Sequence, residues 1–112
     1  MNVYDAAHNL ARALKNSNEY RDFTEKRKRV MSNPKSKEML EDFRKKAMEV
    51  QMAQMQGQKI EQSKNDELKR LEKVLVENPA VNEFFNSEMR FSQVMNDIYK
   101  ILGEAIDTET EK

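Results

Sequence analysis

The sequence predicts an all-α protein of about five helices, an elongated helical bundle with a long central helix and a long C-terminal helix, assembled as an oligomer. Three observations predict it. The 112 residues include two glycines and two prolines, too little turn chemistry for a sandwich or barrel of many short strands. Apolar residues recur at three- and four-residue spacing through most of the chain, which is the helical period. Asn, Ser and two Asn-Pro pairs fall between the periodic runs, where helices begin and end.

Each element has its own signal. Asn2, with Asp5 three residues on, resembles a capping box, and Val3, Ala6, Ala7, Leu10, Ala13 and Leu14 then share one face of a first helix. Ser17 caps a second helix whose stripe is Tyr20, Phe23, Thr24, Arg27, Val30 and Met31. Asn33-Pro34 reads as a tight corner into a third helix, because Pro is favoured at the first helical position and Asn at the cap before it. That helix runs from Pro34 to about Gln56, about 34 Å at 1.5 Å per residue. It carries Leu40, Phe43, Ala47 and Val50 along one face and stops at Gly57, which supplies the left-handed terminal residue. Leu68, Leu71, Val74 and Leu75 mark a fourth helix from about Asn65 to Glu77. Asn78-Pro79 repeats the corner and opens a fifth helix reaching about Ile106, with the stripe Val81, Phe84, Phe85, Phe91, Met95, Ile98, Tyr99, Leu102 and Ile106. Both corners read Asn-Pro-x-x-x-Glu followed by two apolar residues, a pattern that an internal duplication or a shared capping grammar would each produce. Residues 1–106 are expected to form a single helical domain and the acidic "DTETEK" of 107–112 to fray.

The stretches "VYDAAHNLARALKNSNEY", "FRKKAMEVQMAQMQGQKI" and "NPAVNEFFNSEMRFSQVMNDIYKIL" resemble the YheA/YmcA/YlbF family of Firmicutes, specifically its short YheA-like branch. The resemblance covers nearly the whole chain. It implies an all-α homo-oligomer, commonly a dimer, without enzymatic activity. Better-studied relatives act as regulatory partners in competence, sporulation, biofilm control and RNA processing, within a multi-protein complex and with cysteine-bound iron–sulfur clusters. This chain contains no cysteine, so cluster binding does not carry over.

Composition excludes several classes of function directly. Without cysteine there is neither a disulfide framework nor a thiolate metal site, and a reducing cytoplasm is the natural compartment. No apolar run approaches the roughly 20 residues that span a bilayer, and "MNVYDAAHNL" has neither a basic region nor an apolar core, so no leader and no membrane partner is expected. His8, the single histidine, falls on the polar side of the first helix. Ser17, Ser32 and Ser36 lie beside caps with no base to activate them, no Gly-rich loop cradles phosphate, and no Glu-x-x-His motif builds a bundle metal site. No catalytic, cofactor or metal residue is assigned.

What remains is interaction. Met48, Met52 and Met55 sit at i, i+4 and i+7, displaced by roughly 100 to 160° from the face of Phe43, Ala47 and Val50. A small domain covers one apolar aspect of a helix with its own chain, so the second is expected to be an oligomer interface with another copy, where flexible methionines fill irregular gaps. Another protein is a further possible partner. The net charge is zero, but residues 21–46 hold 10 basic against 5 acidic residues and residues 77–112 hold 3 against 8, so the two segments complement each other. Lys26-Arg27-Lys28-Arg29 supports an alternative role as an RNA-associated accessory protein, although consecutive residues fan out around a helix and no interleaved aromatics accompany them. Arg27 and Glu88 interrupt the stripes of the second and fifth helices, and a buried ion pair between them, within or between subunits, is expected to fix helix register.

Overall fold

Five helices in chain order make up residues 1–106, the part of the chain that the computed structural model describes: α1 (Val3–Lys15), α2 (Asn18–Met31), α3 (Pro34–Met55), α4 (Gln62–Val76) and α5 (Pro79–Ile106). No strand occurs among the described residues, and the acidic tail expected to fray lies outside them. The long central and C-terminal helices are present, at 22 and 28 residues.

The caps explain where each helix starts and stops. Asn2 Oδ1 accepts from the Asp5 amide at 2.8 Å, and Ser17 Oγ accepts from the Tyr20 amide while donating to the Leu14 carbonyl. Asn33 Oδ1 accepts from the amides of Lys35 and Ser36, and Asn78 Oδ1 from those of Ala80 and Val81. Both Asn-Pro corners therefore work by the same mechanism: the Asn side chain satisfies amide groups that the first helical turn leaves without intrahelical partners. α3 ends in a Schellman arrangement, with Gly57 at φ 72°, the Gly57 amide on the Gln54 carbonyl and the Gln58 amide on the Ala53 carbonyl. α4 begins three residues before the expected Asn65, because its first turn is polar and gives no apolar period; Gln62 and Asp66 brace that turn through a side-chain hydrogen bond.

Contacts gather into two compact units: Met1–Glu25 with Phe85 onward, and Lys26–Phe84. α2 and α5 each contribute to both. In the Lys26–Phe84 unit, Val30, Leu40, Leu75, Val81 and Phe84 are buried, each contributing about 1.5–3 kcal/mol by transfer from water. The two corners meet there, with Asn78 Nδ2 donating to the hydroxyl of buried Ser36 at 3.2 Å. Arg44 lies over the Phe84 ring, and Arg29 pairs with Glu83 at 2.9 Å. α3 packs on α4, with Lys46 reaching Glu67 at 2.8 Å and Asp42 at 3.1 Å.

In the other unit, Phe91 of α5 stacks on Phe23 with centroids 5.6 Å apart and meets Tyr20 at 5.2 Å, while Arg90 pairs with Asp22 at 2.8 Å. Aromatic pairs of this kind stabilise by about 0.5–1.5 kcal/mol beyond their buried area. Ser87 is buried. α1 buries no residue at all.

One inward stripe is corrected. On α2, Arg27 was expected to point toward the core, but it is exposed, while Lys26 is half-buried between Phe23 and buried Val30 in sequence. The buried line runs through positions 23, 26 and 30, so it passes one residue before Arg27. Glu88 is half-buried. The ion pairs between α2 and α5 described above use other residues, Asp22 with Arg90 and Arg29 with Glu83.

Candidate interaction surfaces

α3 is amphipathic in two directions. The side toward α4 carries Lys46, which bonds Glu67, together with half-buried Val50 and Ala53. Roughly on the opposite side, Met48, Met52 and Met55 occupy about 60° of arc and are 62%, 52% and 79% exposed. Exposed methionines at this spacing form a continuous, deformable apolar strip. Sequence spacing alone identified these three residues, and the structure places them together on an uncovered face.

Further exposed apolar residues belong to the unit that contains α1. Val3 and Tyr4 are 75% and 74% exposed, Leu10 is exposed and Leu14 only half-buried. Tyr99, Ile101, Leu102 and Ile106 are exposed along the last turns of α5. The sequence predicted both stripes but not that they would lack cover, since periodicity reports which face of a helix is apolar and not what packs on it. Ile101 was absent from the expected α5 stripe; it flanks the line of Val94 and Ile98 and widens the apolar face.

The polar candidates are dispersed. In the basic turn, Arg27, Lys28 and Arg29 are exposed, Lys26 is half-buried, and Arg29 is engaged by Glu83. His8 is exposed on α1. A cleft of about 180 Å³ at the α3–α4 turn is lined by Lys46, Val50, Ala53, Ile60, Lys64 and Glu67, mixing both charges with an apolar floor. Hydrogen bonds to Glu67 and then Asp42 hold the Lys46 ammonium above the ordinary lysine range. Among the described residues no group of three His, Cys, Asp or Glu side chains converges as metal ligands do, and no helix is long and apolar enough to cross a membrane.

Residues 3–107 match the family described as control of competence regulator ComK, YlbF/YmcA. A UPF0342 protein of Symbiobacterium thermophilum is 38% identical over 107 residues, covering 96% of each chain. A UPF0342 protein of Desulfitobacterium hafniense is 41% identical over 106 residues, 95% of this chain and 86% of the relative. A solved protein of unknown function (DUF964) from Bacillus stearothermophilus superposes with a TM-score of 0.83 over 94% of this chain and 92% of its own, at 14% identity, and so shares the fold. With that match spanning residues 3–107 and relatives above 30% identity along nearly their whole lengths, this chain belongs to the YlbF/YmcA family.

Proposed function

We propose that the protein is a non-catalytic, homo-oligomeric helical protein of the cytoplasm that acts in regulation by binding other chains. The observation that carries this reading is the excess of uncovered apolar surface over buried core. Among the described residues five apolar side chains form the buried core (Val30, Leu40, Leu75, Val81, Phe84), whereas large apolar residues on α1, α3 and α5 face outward. Contiguous exposed apolar patches on a small domain mark contact sites. The family's association with control of a competence regulator supports a regulatory role. Met48, Met52 and Met55 are assigned to an interface with a second copy, and another protein is a further partner of the assembled form.

Sedimentation velocity at tens of micromolar tests the reading. A dimer or larger species is expected for the wild type, and a monomer at that concentration would overturn it. An RNA role through the basic second helix would instead appear as a mobility shift whose affinity falls steeply with salt. With Arg29 already paired to Glu83, the basic turn offers fewer unengaged cations than its sequence suggests.

A further inference from the structure

α1 is a 13-residue helix with no buried residue, close to the length at which an isolated helix is marginal in water. Its apolar residues cover about half its circumference, wider than the seam one neighbouring helix fills. They also have an internal symmetry. Val3 and Leu14, Tyr4 and Ala13, Ala6 and Ala11, and Ala7 and Leu10 all lie at equal distances from a midpoint between His8 and Asn9. A stripe with that property is complementary to itself when reversed, which is what a two-fold contact between identical helices requires.

We propose that α1 pairs antiparallel with α1 of a second copy, about a two-fold axis passing between His8 and Asn9. This rests on the self-association proposed above and specifies its geometry. In this register Val3 meets Leu14 of the other copy and Ala7 meets Leu10, so large side chains oppose small ones near the axis. The four alanines allow close approach of the two backbones. The last turns of α5 belong to the same compact unit and also expose apolar side chains. Val3, Tyr4, Leu10, Tyr99, Ile101, Leu102 and Ile106 together leave on the order of 800 Å² uncovered, about what each partner buries in a stable complex of standard size.

The absence of cysteine makes the test clean, because only introduced thiols react. Val3→Cys and Leu14→Cys chains are prepared separately, mixed, allowed to exchange, and treated with a short bismaleimide. The mixture should yield about tenfold more cross-linked dimer than either variant alone, since like thiols lie about 16 Å apart along the axis while unlike thiols meet. Tyr4→Cys mixed with Leu14→Cys should behave the same way, which guards against the Val3 substitution disturbing the fold. Equal cross-linking by Val3→Cys alone would overturn the antiparallel register. A chain that sediments as a dimer but cross-links in neither mixture would overturn this inference and leave self-association standing. A monomer would overturn both.

Discussion

Asn78 performs two tasks. Its Oδ1 caps α5, and its Nδ2 donates to the Ser36 hydroxyl, itself buried. Asn78→Ala should therefore cost about 2 kcal/mol, a lost cap plus an unsatisfied buried hydroxyl, while Asn33→Ala should cost about 1 kcal/mol for the cap alone. Urea midpoints at constant slope would check the difference. The caps were legible in the sequence because they depend on residues within three positions. The bond from Asn78 to Ser36 spans 42 positions and has no local signature. Arg27 illustrates the same limit: helical period sets a residue's direction to within about one position, and that margin moved a charge from the interior to the surface. Within a single chain a pair of Arg27 and Glu88 would have a surface pair's strength, and a double-mutant cycle should give a coupling of at most about 1 kcal/mol unless the two are buried between copies. A coupling of 3 kcal/mol or more would restore the buried pair.

At the scale of the elements, α3 and its turn carry the most information. Gly57 holds φ 72° with open space around its α-carbon, so Gly57→Ala should destabilise by about 1 kcal/mol through backbone conformation alone. Lys46 holds α3 to α4 through Glu67. Its folded pKa lies above its unfolded value, so its contribution is fully present below the ordinary lysine range and is lost as pH rises through the folded value. The stability gap between wild type and Lys46→Met should accordingly narrow above that range, read from urea midpoints at neutral and strongly alkaline pH. The outward methionines behave differently. Met48→Ala, Met52→Ala and Met55→Ala combined should weaken self-association, up to about 1.5–3 kcal/mol for each side chain fully buried in the interface. Helix content should be retained, because all three side chains are more than half exposed in the single chain. Helix identity and the methionine strip were both readable from spacing. The uncovered state of α1 was not, because amphipathy is the same whether the apolar face meets its own chain or another.

For the whole molecule, the balance of apolar surface is decisive. Five buried apolar residues among those described make a small core for a chain of this length, and a small core leaves a domain only marginally stable. On the proposed self-association, covering α1, the end of α5 and the methionine strip between copies would add to that stability. Folding and association are then linked by mass action, and the two compact units should unfold together as one domain in a single transition. The central claim is that the exposed apolar faces are buried between copies. The most direct measurement is the urea unfolding midpoint, followed by helical circular dichroism, over a hundredfold range of protein concentration. The midpoint should rise with concentration, corresponding to up to about 2.7 kcal/mol of apparent stability per dimer. A midpoint that stays fixed across that range, with full helix content retained at the lowest concentration, would show that the single chain is stable with these faces open to water and would contradict the claim.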